Sequence, residues 1–184
     1  MPGGRSIARV AEYLAAEDLP WSAVHVFLVD ERCVSVNDTA SNYQALRHVF
    51  FEPLLNSERI ARDNVHLPQE IGRSNCDAET YTHELAGVAP SGEAEFDVVF
   101  PDHPSVRETG RRFIISDNAP KAPPRRVSAS RELIENASTA VVLFLGEGKQ
   151  EAMRDFRHAD SPVEERPCRM LYRVNDAWAA TDLA

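Results

Sequence analysis

The chain predicts a single α/β domain of three layers, a mostly parallel sheet with helices on both faces. Two patterns carry that expectation. Apolar runs short enough to be buried strands alternate with segments of helical periodicity, and several of those segments begin near Ser, Thr or Asp. A third observation is size and composition. At 184 residues, 43% hydrophobic and 27% charged, the chain can fill one core and reads as globular, so residues 1–184 are taken as one domain.

In chain order, the helical spacings cover residues 6–16, 40–55, 78–89, 130–136 and 149–158. The strand candidates are 24–29, inside AVHVFLV; 96–99, inside EFDVV; 112–116; 139–145, TAVVLFL; and 169–174. A last helix, packed by Trp178, is expected after Asn175 and Asp176. Residues 119–126, APKAPPRR, are Pro-rich and basic and read as a linker.

Lys and Arg number 20 against 29 Asp and Glu, a formal charge of −9, which argues against nucleic acid or an anionic membrane as partner. An anionic ligand must then be held by a local group of cations. The longest apolar run is too short to span a bilayer and MPGGRS has no secretory pattern, so a soluble, cytoplasmic chain is expected, a monomer or weak homo-oligomer. Cys33, Cys76 and Cys168 are far apart, with no CxxC pair and no nearby histidine cluster. They are read as free thiols, and no metal site is predicted.

In open α/β sheets ligands bind beyond the carboxyl ends of the strands. The stretch VFLVDERCVSVNDTASNY, residues 26–43, places Asp30, Glu31 and Arg32 at such an end. A guanidinium there can clamp a phosphate while a neighbouring carboxylate holds it in place; the plainer reading is a strand-end ion pair. Gly3 and Gly4 before the first helix, with Ser6 in its first turn, have the geometry of an anion cradle or of a flexible end. Lys149 follows Gly146 and Gly148 at a helix start, where the dipole disfavours a cation unless an anion balances it or solvent screens it.

Together these segments resemble the 6-phosphogluconolactonase family. The motifs, in order, are Gly3-Gly4-Arg5-Ser6, Trp21-Ser22, Asp30-Glu31-Arg32, Ser41-Asn42-Tyr43, Phe100-Pro101-Asp102-His103-Pro104, the Pro-rich 119–126 segment and Gly146-Glu147-Gly148-Lys149. The related aminosugar-phosphate deaminases usually carry tyrosine at the place of Arg32 and lack the Pro-Lys-x-Pro-Pro stretch. The resemblance implies a Rossmann-like fold of the isomerase/lactonase type and hydrolysis of 6-phosphoglucono-δ-lactone to 6-phosphogluconate without metal or organic cofactor.

It also implies roles. Arg32 is the first candidate for the substrate phosphate, with Lys149, Gly4 and Ser6 in support; Lys121 and Arg126 either add positive potential at the rim of the phosphate site or are solvated surface cations. Asp30 and Glu31 are read as orienting residues. Asn42 either orients the Asp30–Arg32 turn, meets sugar hydroxyls or caps a helix. The family's Gly-x-Asp-Gly-His loop has no counterpart here, because Val99 runs directly into Phe100-Pro101, and the strand and long helix that family members carry before the Gly-Gly loop are absent. His103 is then the candidate base, with a structural His-Pro as its other reading. Three functions stand: an active lactonase, a phosphosugar-binding homologue without turnover, and an aminosugar-phosphate isomerase or deaminase.

Overall fold

In the computed structural model the described residues are 5–68, 76–99, 109–119, 121–157, 163 and 167–183. The chain opens with α1 (Arg5–Ala16), whose Ile7, Ala11 and Ala15 recur at i, i+4 and i+8 and are buried, while Tyr13 faces solvent. The apolar run that follows yields β1 (Val26–Phe27) and leads into β2 (Asp30–Arg32). Successive strand side chains point to opposite faces, and this run uses both. Phe27 and Val29 enter one core, with Tyr81, Phe113, Leu133 and Met170. Val26 and Leu28 enter the other, with Ile7, Leu46, Phe50 and Leu54. A layer flanked by two cores is the three-layer α/β arrangement the sequence predicts.

The helix predicted over 40–55 is one continuous run of three parts, α2 (Asn42–Leu46), a π-helical turn Arg47–Phe51 and α3 (Glu52–Asn56). β3 (Val65–His66) pairs parallel with β1. α4 (Ala78–Val88) starts on Asp77, whose carboxylate accepts from the Thr80 N–H at 2.9 Å and from the Thr80 hydroxyl at 2.8 Å, and those bonds hold the Asp77 carboxyl below the usual range. β4 (Val98–Val99), β5 (Phe113–Ser116), β6 (Arg126–Ala129), α5 (Arg131–Glu135), β7 (Thr139–Phe144), α6 (Gln150–Arg157) and β8 (Asp176–Thr181) complete the order. β4, β7 and β8 form a parallel sheet in that order; β2, β6 and β5 form an antiparallel one. Three of the five strand pairings among the described residues are parallel.

Four expectations are corrected. Residues 167–173 are a 3₁₀ helix, not a strand, and it buries Met170 and Leu171 at adjacent positions. The last element is a strand, not a helix. DAWAAT has the alanine content of a helix, but pairing along β7 from Thr139↔Asp176 to Phe144↔Thr181 overrides local propensity, and Trp178 lies exposed on it. The linker reading of 119–126 hid β6, the centre of the antiparallel sheet. Arg126, Val127, Ser128 and Ala129 are all buried, so β6 shows no alternation of apolar and polar residues.

The fourth correction concerns the thiols. Cys33 and Cys76 form a disulfide, with Cα atoms 5.4 Å apart across a separation of 43 residues. Sequence spacing says nothing of this proximity, which arises because the end of β2 lies beside the approach to α4. Alkylation of the denatured, unreduced chain is expected to leave both unlabelled, and prior reduction to expose both; labelling of either before reduction contradicts the bridge.

Ser130 illustrates how the short α5 is held. Fully buried, its Oγ accepts from the Leu133 N–H at 3.1 Å and donates to the Gly110 carbonyl at 2.6 Å. Ser130→Ala is expected to cost about 1–2 kcal/mol, read as a lower denaturant midpoint at constant slope. Among the described residues no helix is long and apolar enough to cross a membrane.

Candidate functional site

The site is built outward from β2. Its register against β6 sets Asp30 opposite Ser128 and Arg32 opposite Arg126. The buried Asp30 carboxylate accepts from Ser128 Oγ at 2.8 Å and from Arg126 Nη1, two positions along β6, at 3.0 Å. Glu31 points to the other face, as strand periodicity requires. There it meets the start of α2. One carboxylate oxygen accepts from the N–H groups of Arg32 and Asn42 at 2.6 and 2.8 Å, the other from the Tyr43 N–H and Ser41 Oγ at 2.8 and 3.0 Å. Glu31 has no solvent exposure, and that burial pushes its carboxyl above the usual range against the opposing pull of those four donors.

Ser41 is the N-cap of α2, its Oγ accepting from the Gln44 N–H at 3.2 Å, so the capping role weighed for Asn42 belongs to its neighbour. Asn42 is instead a strut. Its amide donates to the Asp30 carbonyl at 2.6 Å and its oxygen accepts from Arg32 Nη1. The same nitrogen of Arg32 donates to the Ala40 carbonyl at 3.1 Å. Arg32 is thus fixed by two acceptors, while its Nε is buried and has no hydrogen-bond partner among the described residues. The side chain forms part of a cavity of about 350 Å³ whose walls include Ala8 of α1, Thr39, Asn42, Ala45 and Ala122.

The other predicted residues separate. Arg126 is turned inward rather than set at a rim, with Nη1 on Asp30, Nη2 on the Lys121 carbonyl at 3.1 Å and Nε on the Pro123 carbonyl at 3.4 Å. Lys121 is exposed, next to Ala122 in the cavity wall. Lys149 is exposed in the 3₁₀ turn Glu147–Lys149, which follows Gly146 at φ +84°, and it does not line the cavity. Ser6 lies in α1, upstream of Ala8, with its side chain outside the described residues; Gly4 and His103 lie outside them altogether.

Sequence reasoning missed Ser41 and Ser128. Ser41-Asn42-Tyr43-Gln44 carries the S-x-x-Q capping pattern that would have found the first; a lone serine in a strand gives no comparable signal for the second. The parallel pairing of β1 and β3 also joins His25 to His66 at 3.0 Å and His66 to Glu84 at 3.2 Å. Burial lowers the His66 pKa, against an upward pull from Glu84. No group of three metal-ligating side chains occurs among the described residues.

The family model described as glucosamine-6-phosphate isomerases/6-phosphogluconolactonase matches residues 1–179. The chain is 30% identical over 185 residues to the 6-phosphogluconolactonase of Borreliella burgdorferi, covering 92% of this chain and 76% of that protein. It is also 30% identical over 199 residues to that of Mycobacterium bovis, with 96% and 78% covered. The solved 6-phosphogluconolactonase from Trypanosoma cruzi superposes with a TM-score of 0.73 over 98% of this chain and 80% of its own, at 20% identity, a likeness of fold. With a family model spanning nearly the whole length and relatives alike over most of theirs, the chain belongs to the glucosamine-6-phosphate isomerase/6-phosphogluconolactonase family.

Proposed function

We propose that this chain is a 6-phosphogluconolactonase, a hydrolase of carbohydrate metabolism that converts 6-phosphoglucono-δ-lactone to 6-phosphogluconate in the oxidative pentose phosphate pathway, acting in the cytoplasm without a metal or organic cofactor. The observation that carries the reading is the Arg32 guanidinium, held at a cavity wall by Asn42 and Ala40 with no carboxylate paired to it among the described residues. A phosphate dianion is the ligand that such a preset, uncompensated cation suits. Lys121, Ser6 and Gly4 are the further anion contacts of this reading, Lys149 adds positive potential from outside the cavity wall, and Asp30, Glu31 and Asn42 orient the clamp.

In the reaction, water adds to the lactone carbonyl, the bond from that carbon to the ring oxygen breaks, and the ring oxygen takes a proton to become a hydroxyl. That step needs a base for the water, donors for the developing oxyanion and a fixed substrate. Arg32 fixes the substrate, and His103 is assigned the base. A second reading, phosphosugar binding without turnover, is favoured by one observation: Val99 runs directly into Phe100-Pro101, where the family carries its histidine loop. Arg32 weighs against an aminosugar-phosphate isomerase or deaminase.

The test is the decay of freshly generated 6-phosphoglucono-δ-lactone with the chain, with a His103→Ala variant and with buffer. Acceleration lost in His103→Ala supports the lactonase and its base. No acceleration, with 6-phosphogluconate still raising Tm, selects the binding reading; neither effect overturns both. Light scattering during the same experiment checks the expected monomer or weak homo-oligomer.

A further inference from the structure

The Cys33–Cys76 disulfide joins the residue that follows Arg32 to the residue that precedes Asp77, the N-cap of α4. From Cys33 the chain runs out and returns to the clamp: Thr39, Ala40, Ser41 and Asn42 line the cavity with Arg32, and the Ala40 carbonyl and the Asn42 oxygen accept from its Nη1. This segment is fastened at three places. Ser41 Oγ donates to the Glu31 carboxylate at 3.0 Å, Val36 is buried with Ile7 and Leu46, and Cys33 is bridged to Cys76 while its N–H reaches the Arg125 carbonyl at 3.0 Å. The bridge is the fastening that redox chemistry can open. Both cysteines are half-buried, so a small thiol can reach them, and such bridges exchange more readily than those sealed in a core. In the reducing cytoplasm proposed above, disulfides are rare, and those that occur are usually transient or redox-sensing.

We propose that the Cys33–Cys76 pair is a redox switch of the Arg32 site, whose disulfide form binds the substrate phosphate more tightly than its dithiol form. The proposal rests on the phosphosugar reading given above and adds its regulation. A thiolate of a dithiol reductant attacks one sulfur of the bridge, the S–S bond breaks, and the reductant's second thiolate resolves the mixed disulfide. The protein gains two electrons and two protons as the Cys33 and Cys76 thiols, and the reductant becomes a disulfide. Reduction removes a cross-link between positions 43 residues apart, so the end of β2 and the segment behind it gain conformations that the bridge excludes. A guanidinium already set in place binds an anion at less entropic cost than one that must first be ordered. The loosened clamp therefore loses affinity.

The experiment measures Kd for 6-phosphogluconate by calorimetry with the oxidised chain, the chain reduced by dithiothreitol, the chain reoxidised by glutathione disulfide, and the double variant Cys33→Ser/Cys76→Ser. Tm is recorded for each, and Kd is taken well below the lowest of them. Reduction is expected to weaken binding about fivefold, and reoxidation to restore it. The double variant is expected to bind as reduced wild type and to ignore dithiothreitol. A purely structural bridge predicts a lower Tm with unchanged Kd, so a reduced, folded chain that binds as well as the oxidised one overturns the proposal. A double variant that binds as oxidised wild type, or that responds to dithiothreitol, overturns it as well. So does unfolding of the reduced chain at the assay temperature, since the loss is then that of the fold and not of a switch. Absence of 6-phosphogluconate binding by the oxidised wild type removes the phosphosugar reading itself and this proposal with it, an outcome distinct from the others.

Discussion

Arg32→Ala is expected to lower kcat/KM for 6-phosphoglucono-δ-lactone roughly 100-fold, with most of the loss in KM. Each hydrogen bond between charged partners contributes about 1.5–3 kcal/mol, and about 1.4 kcal/mol corresponds to a factor of ten, so the loss of two such bonds to a phosphate sets the scale. The fold has little at stake in this side chain. It is half-buried, and its removal releases the Ala40 carbonyl and one oxygen of Asn42. The melting temperature is therefore expected to stay within a few degrees of wild type while activity falls. Arg32→Lys retains a charge but not the planar fork that Ala40 and Asn42 hold, so it is expected to recover only part of the loss. An Arg32→Ala variant with unchanged kcat/KM and unchanged affinity for 6-phosphogluconate would remove the basis of the proposed site.

Glu31→Ala separates the scaffold from the clamp. The substitution deletes the acceptor of three backbone N–H groups and the Ser41 hydroxyl at a residue with no solvent exposure. Each buried donor left unpaired costs about 1–3 kcal/mol, partly relieved where water enters, and a total near 4 kcal/mol is expected. For a domain of this size that is a fall in Tm of about 10 °C. Glu31→Gln keeps one acceptor oxygen but turns an amide NH₂ toward two donors, so about half of that loss is expected. Because the folded-state pKa of Glu31 is raised, its stabilising contribution is complete below the ordinary glutamate range and declines as pH rises through the raised value. The stability gap between wild type and Glu31→Gln is thus expected to be widest in acid and to narrow with rising pH. A gap that widens instead would show that the four donors, not burial, dominate the carboxyl.

How much of this was legible in the chain depended on whether the signal was local. The apolar run through Leu28 announces a strand, but the charges that follow do not mark a strand end: Asp30, Glu31 and Arg32 themselves form β2. The direction of that strand's partner was not legible. β2 pairs antiparallel with β6, some ninety residues on, and RVSA is buried at every position, so neither periodicity nor proximity betrays it. The fate of Arg126 followed from the same blindness: as part of a basic Pro-rich stretch it looks like a surface cation, and only the register reveals Asp30 within reach. The C-terminal exchange of strand and helix has a related cause. Alanine-rich DAWAAT lacks a strand signal of its own and takes its conformation from β7.

The π turn Arg47–Phe51 has a consequence for anyone comparing this chain with others. Phe50 and Phe51 are neighbours in sequence, and in a regular helix neighbours point about 100° apart, yet both are buried, as are Leu54 downstream and Leu46 upstream. The widened turn carries one extra residue and re-phases the segment after it. A related sequence one residue shorter at this point would therefore keep the same buried stripe on a regular helix, and a single-residue gap in an alignment here records a change of helical phase, not a lost piece of the core.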